Sequence, residues 1–495
     1  MKILFLSSEV VPYSKTGGLA DVAGALPAAL AEIGHELLVA TPRYGHIQPP
    51  DGLEALDPPL TLRFPFGPQA AHYALHGRAP NLRVLFIGND AFFARPGIYN
   101  DPSGSDFPDN HRRFAFFTLA ALSGAQHLGF VPDIVHFNDW QTGLGPLALR
   151  RGYAGTALAR AKSVFTIHNL AYQGLFPKRV MEDLGLPWDV FTPEGLEFYD
   201  HVNFLKAGLV WADALTTVSP RYAQEIQTPE AGYGLDGLLR RRTGDLHGIL
   251  NGIDAREWNP AEDPYLPARY DQDALDGKAT CRRELLSRFG LTTTDGPVFG
   301  IVSRLAGQKG FDILIPALEH ALGEDIRLVV LGSGEARYEA GFRALQQHHP
   351  DKVGLRFGFD VALSHLVEAG ADFFLMPSLY EPCGLNQLYS LRYGTVPVVR
   401  AVGGLDDTVV DVDADLAHGT GIKFGPYDAG AAAHAIGRAL ELWRDPPRLR
   451  AVRRRGMHQD FSWTRSARAY EALYRSLVRP ESAAGQQLPA ARKAQ

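Results

Sequence analysis

A chain of 495 residues, 45% hydrophobic and 21% charged, can fill two or three hydrophobic cores and leave a cleft between domains. Its formal net charge of -6 offers no basic field to nucleic acid or an anionic membrane, and its two cysteines, Cys281 and Cys383, exclude a disulfide framework and a thiolate metal site. Only a few apolar residues precede Ser7, Ser8 and Glu9, too few for a secretory signal, and no apolar run approaches the ~18 residues of a membrane span, so a cytoplasmic location is expected.

The first predicted strand, 2–7, leads into Ser14-Lys15-Thr16-Gly17-Gly18-Leu19-Ala20-Asp21. A strand, a glycine-bearing loop with one lysine, and a helix start bring free backbone N–H groups and a cation to one point, which suits an anion. Gly17 and Gly18 let the backbone approach a ligand, and Lys15 adds a full charge. Taken alone, a βα turn with a solvated lysine would read the same way. Short β-branched and aliphatic runs continue at 37–41, 83–87, 133–137, 163–167, 214–218 and 247–250, with helical segments between them. Such alternation predicts parallel strands joined by crossover helices. Phe114, Phe116 and Phe117 read as core.

Around Asn251-Gly252-Ile253-Asp254 the pattern gives way to an acidic segment with Pro260, Pro264 and Pro267, read as a linker. The alternation restarts at 298–303, 327–331, 355–357, 372–376 and 397–399, with helices such as 310–322 and 384–393 between. Trp463, Ala467, Tyr470, Leu473 and Tyr474 then recur at helical spacing. The prediction is an α/β protein of two doubly wound Rossmann-like domains facing a cleft, 1–256 and 257–460. A terminal helix is expected over 461–479, crossing back to the first domain, and a disordered tail over 480–495.

Open parallel sheets bind ligands outside the carboxyl ends of their strands, so polar clusters at strand ends are the candidates. His136-Phe137-Asn138-Asp139-Trp140 and Thr166-Ile167-His168-Asn169 end two strands of the first domain. In the second, Ser303-Arg304-Leu305 and Gln308-Lys309-Gly310 set a fork-shaped and a point-like cation around a helix start, suited to a diphosphate. Glu381-Pro382-Cys383-Gly384-Leu385-Asn386-Gln387 opens a helix, with Glu381 as acceptor for sugar hydroxyls and the Gly384 and Leu385 amides as donors. Gly403-Gly404-Leu405 repeats the Gly-Gly turn. A P-loop motif is absent, and Gly332-Ser333-Gly334 lacks the later glycine of a dinucleotide fingerprint, so neither a P-loop NTPase nor a dehydrogenase is supported. Cys383 reads as a small apolar residue. No His/Cys/Asp set has metal-ligand spacing, and no metal or cofactor is expected.

Together the Lys15 to Asp21 stretch, Asn138-Asp139-Trp140, Thr166-Ile167-His168-Asn169, Asn251-Gly252-Ile253-Asp254, Ser303-Arg304-Leu305, Gln308-Lys309-Gly310 and Glu381-Pro382-Cys383-Gly384-Leu385 resemble the bacterial glycogen synthase and plant starch synthase family, in order from about residue 1 to about 475. The resemblance implies a glycosyltransferase of the B-type fold that moves glucose from ADP-glucose to the non-reducing end of glycogen or another α-1,4-glucan, with retention and without metal. It implies that Arg304 and Lys309 hold the diphosphate and stabilise the leaving group. Lys15, Gly17 and Gly18 then approach the donor from the other domain, with Asp21 counted among the substrate-binding residues of the same motif. By the same resemblance His168 hydrogen-bonds the donor glucose, and Glu381 with the Cys383, Gly384 and Leu385 amides binds its ring. Asp139 sits near the reacting centre, Asn251 contacts the donor from the hinge side, and Tyr99 is an acceptor-site aromatic.

Two positions depart from the pattern. Where the family often has a tyrosine stacking on adenine, Phe359 keeps the ring and loses the hydroxyl. Eight residues after Glu381, where many sugar-nucleotide transferases of this fold carry a second glutamate, stands Tyr389, which favours the synthase branch and leaves the ribose contact unassigned. Retention ordinarily suggests a carboxylate nucleophile on the far face of the sugar. None is evident, and the front-side route usually proposed for such enzymes, with the leaving phosphate accepting the acceptor's proton, is the expectation. The rivals are a related retaining glucosyltransferase using UDP-glucose or a small acceptor such as glucose 1-phosphate, and an inactive glucan-binding regulatory protein. The intact Lys15, His168, Arg304, Lys309 and Glu381 argue against the second rival.

Overall fold

The computed structural model describes residues 1–478, and the tail expected over 480–495 lies outside the described residues. Its strands are β1 (Lys2–Leu6), β2 (Glu36–Pro42), β3 (Glu54–Phe64), β4 (Gly67–Ala79), β5 (Leu82–Gly88), β6 (Ile134–Asn138), β7 (Lys162–Ile167), β8 (Leu175–Pro177), β9 (Glu197–Phe198) and β10 (His201–Asn203). They continue with β11 (Ala214–Thr217), β12 (Leu246–Gly248), β13 (Val298–Val302), β14 (Arg327–Leu331), β15 (Val353–Arg356), β16 (Phe373–Met376), β17 (Val396–Arg400) and β18 (Ile422–Phe424). One nine-stranded sheet has the order β12-β11-β7-β6-β1-β2-β5-β4-β3, a six-stranded sheet the order β15-β14-β13-β16-β17-β18, and a small sheet the order β8-β10-β9. β1 runs parallel to β2 and β6, and every pair in the six-stranded sheet is parallel. Two doubly wound α/β sheets are thus the architecture that the alternating pattern predicts.

The differences have local causes. β3 and β4 form an antiparallel hairpin that extends the first sheet beyond β5, and neither is legible as an apolar run. In β3 only Phe64 is buried, Pro58 and Pro59 interrupt the chain, and the register shifts between Leu56 and Leu60, as an edge strand tolerates. β8, β9, β10 and β18 have three residues or fewer, too short to carry a periodic signal.

The described residues separate into two compact units, one made of Met1–Thr166, Tyr172–Leu215 and 467–478, the other of Ile167–Ala171 and Thr216–Ser466. In the first, Phe114, Phe116 and Phe117 of the helix Asn110–His127 are fully buried. The terminal helix runs Trp463–Val478. Its Tyr474 hydroxyl lies 2.6 Å from His136 Nδ1 at the centre of β6, and its Glu471 lies 3.4 Å from the His35 ring. In the second unit, alternate residues of β13 serve opposite faces: Phe299 and Ile301 join one core with Leu314 and Leu328, while Val298 joins another with Val329, Val367 and Phe374. A sheet buried on both sides leaves its strand ends as the place for polar side chains.

Candidate active site

In the first unit the helix Gly18–Glu32 opens on an extended Gly17, whose N–H donates to Glu9 Oε2 at 3.2 Å. The Thr16 N–H donates to the same oxygen, and Thr16 Oγ1 donates to Glu9 Oε1 at 2.7 Å. A Cβ added to Gly17 or Gly18 would meet nothing within 4 Å, so these glycines leave open space beside the backbone rather than packing against a neighbour. Lys15 is not a lone cation: its Nζ lies 2.7 Å from Asp21 Oδ1, and its side chain is about half exposed.

Tyr99 donates its hydroxyl to Glu9 Oε1 and has Ser8 Oγ at 2.8 Å, and its ring packs near Phe114 and Trp140. Burial, reinforced by the Glu9 carboxylate, pushes this phenol well above its ordinary pKa, so it stays protonated and can donate. Asp139 has φ 54°, rare for a residue with a side chain. Its N–H donates to the Thr166 carbonyl at 3.0 Å and its own carbonyl accepts from the Thr142 N–H at 3.1 Å. Strain of this kind, on the order of 1–3 kcal/mol, persists where the surroundings impose it and marks a position for functional attention. Asn138 beside it is fully buried and ties the ends of β6 and β1 through the Leu6 carbonyl, 2.9 Å away.

In the second unit His168 follows β7. Burial holds its pKa down to about 3, so the ring is neutral at physiological pH and hydrogen-bonds as an uncharged imidazole. Asn251 is buried, and among the described residues its Oδ1 has no hydrogen-bond partner. Burial likewise pushes the Cys383 thiol up to about 12, which removes it as a nucleophile and agrees with its reading as a small apolar residue.

Lys309 and Glu381, 72 residues apart in sequence, meet at 2.7 Å; the glutamate side chain is 7% exposed and the lysine 24%. Ser378 Oγ donates to the same Glu381 oxygen at 3.0 Å. Two strand-end loops come together here, the Leu379 N–H donating to the Gln308 carbonyl at 2.8 Å. Gly310 has φ 75°, and a Cβ there would stand 2.1 Å from the Pro377 carbonyl oxygen, so only glycine allows this approach. Arg304 is exposed at the end of β13. The helix after Glu381 begins at Asn386, with Leu385 at its cap and Gly384 at φ 72°.

Gly403 and Gly404, expected as a turn, open the helix Gly403–Thr408 and have a packing role. A Cβ on Gly403 would meet the Glu381 carbonyl oxygen at 2.0 Å, and one on Gly404 the Cys383 carbonyl oxygen at 2.0 Å. Phe359 is 84% exposed, while Tyr389 stacks on Trp258 at 3.7 Å, with His365 also stacked on that indole. Glu9 and the Gly403-Gly404 packing are the features that sequence reasoning missed. An acidic residue just past the first buried strand is the single signal that points to Glu9. Among the described residues no group of three or more His, Cys, Asp or Glu could hold a metal ion, and no helix is long and apolar enough to cross a membrane.

Residues 2–241 match the starch synthase catalytic domain, and residues 283–456 match glycosyl transferases group 1. The chain is 62% identical to the glycogen synthase of Myxococcus xanthus, over 97% of this chain and 100% of that protein. It is 48% identical to the glycogen synthase of Koribacter versatilis, over 96% and 98%. The catalytic domain of starch synthase IV from Arabidopsis thaliana, solved bound to ADP and acarbose, superposes with a TM-score of 0.88 at 34% identity, over 96% of this chain and 99% of that one. Sucrose-phosphate synthase from Thermosynechococcus elongatus, 19% identical with a TM-score of 0.61, shares the fold. Two Rossmann-like sheets bearing these two matched domains define a glucosyltransferase of the B-type fold. Its activity follows from near-full-length identity to enzymes of one kind: the chain belongs to the glycogen synthase family, as its lysine-threonine-glycine-glycine and glutamate-proline-cysteine-glycine signatures lead one to expect.

Proposed function

We propose that the protein transfers glucose from ADP-glucose to the non-reducing end of an α-1,4-glucan with retention of configuration, as a cytoplasmic enzyme with no nucleic-acid or membrane partner. Residues 257–460 serve the nucleotide sugar and 1–256 the glucan. The observation that carries this is the Lys309–Glu381 pair, a cation for the leaving diphosphate beside a largely buried acceptor for sugar hydroxyls. Arg304 and Lys309 neutralise the charge that develops on the diphosphate as the glycosidic bond breaks, which is where preorganised cations contribute most. Glu381 and the Cys383, Gly384 and Leu385 amides orient the glucose ring, and the unpartnered Asn251 oxygen is a ready acceptor for a donor hydroxyl.

Neutral His168 adds a hydrogen bond to the same glucose, and exposed Phe359 stacks on adenine. Lys15 exchanges Asp21 for the donor, approaching with Gly17 and Gly18, whose open faces admit a ligand. Asp139 stands near the reacting centre, and Tyr99 meets the acceptor. The solved relative bound to ADP supports adenine as the base. The test is a comparison of initial rates of glucose transfer to glycogen. ADP-glucose is expected to exceed UDP-glucose by about tenfold or more, a discrimination of roughly 1.4 kcal/mol. Equal or faster transfer from UDP-glucose, or transfer to glucose 1-phosphate and not to glycogen, overturns the proposal.

A further inference from the structure

Glu9 is 2% exposed, and among the described residues no cation forms a salt bridge with it. Its charge is held by neutral donors on both oxygens. Oε2 accepts from the backbone N–H groups of Thr16 and Gly17, and Oε1 accepts from the hydroxyls of Thr16 and Tyr99. A buried carboxylate of this kind is stable only while all of these donors stay in place. The bonds therefore fasten together two segments far apart in sequence, the turn that carries Lys15 and the loop that carries Tyr99.

We propose that Glu9 is a positioning residue that couples the two substrates: one carboxylate fixes the Lys15-bearing turn and the Tyr99 hydroxyl against each other, so that glucan seated at Tyr99 sets the turn for the donor. The coupling rests on the roles given to Lys15 and Tyr99 under the proposed function. A glutamine at this position has one accepting oxygen in place of two. Its oxygen can serve the two backbone N–H groups, but its NH2 group can then only donate to the Thr16 and Tyr99 hydroxyls, so the charge-assisted bonds on that side give way to weaker neutral ones of reversed direction.

The test is a double-mutant cycle of Glu9→Gln and Tyr99→Phe, with kcat and KM for ADP-glucose and for glycogen and the melting temperature measured for all four proteins. Glu9→Gln is expected to lower donor kcat/KM about 10- to 100-fold. Tyr99→Phe is expected to lower donor kcat/KM even at saturating glycogen, and the double variant to fall within about threefold of Glu9→Gln alone. Additive effects, or a Glu9→Gln protein with a lower melting temperature and unchanged donor kinetics, overturn the coupling. If Glu9→Gln does not fold, unchanged donor parameters in Tyr99→Phe overturn it equally. Wild-type protein in the same assay separates the two levels: no transfer from ADP-glucose contradicts the functional proposal itself, whereas normal wild-type transfer with unaffected variants contradicts the coupling alone.

Discussion

Replacing Lys309 by alanine lowers kcat/KM for the donor about 100- to 1,000-fold, the range typical of removing one group that stabilises developing negative charge. Two effects add in this variant. The diphosphate loses a point charge that Arg304, on its own, cannot supply in the same geometry. Glu381 also loses the partner 2.7 Å away in a nearly buried site, with only the Ser378 hydroxyl remaining on that oxygen. Removing one member of a buried pair destabilises by about 3–5 kcal/mol, and the 24% exposure of the lysine places the loss below that range because water reaches one end of the pair. Steady-state kinetics together with a melting curve distinguish the two effects. A Lys309→Ala enzyme with wild-type kcat/KM and a lower melting temperature would leave the pair as a structural contact and remove it from the diphosphate site.

Gly310→Ala destabilises the second unit by about 2 kcal/mol or more, through strain at φ 75° and a Cβ 2.1 Å from the Pro377 carbonyl oxygen. Backbone oxygen cannot swing aside as a long side chain can, so either the start of the helix Phe311–Ala321 or the loop after β16 must shift. Both carry the site, Lys309 on one and Glu381 on the other. The expected outcome is a melting temperature lower by roughly 4–8 °C for a domain of this size, together with reduced donor kcat/KM. Gly244→Ala is the control, since it lies in the same unit outside the proposed site, and its Cβ would meet nothing. A Gly310→Ala protein as stable as that control would contradict the steric account.

The two sheets were legible in the sequence because their inner strands are buried on both faces and read as continuous apolar runs, from β1 to β17. The hairpin β3–β4 escaped because its exposed, proline-broken strands carry no such run, and pairing with β5 is a tertiary event. At the site, residue types were legible and juxtapositions were not. Lys309 and Glu381 read as separate ligand groups, yet folding across 72 residues makes them one pair. Gly17-Gly18 and Gly403-Gly404 are the same dipeptide, but the first faces open space and the second packs on the backbone of Glu381 and Cys383. The backbone twist of Asp139 and the Tyr99 hydroxyl on Glu9 depend on segments brought together by the fold, and no local pattern encodes them.

A crystal structure of the ADP complex tests the central assignment most directly. It is expected to show the diphosphate within hydrogen-bond reach of Arg304 and Lys309, with adenine stacked on Phe359. A diphosphate held elsewhere, with Lys309 still paired to Glu381 and Arg304 facing solvent, would contradict it.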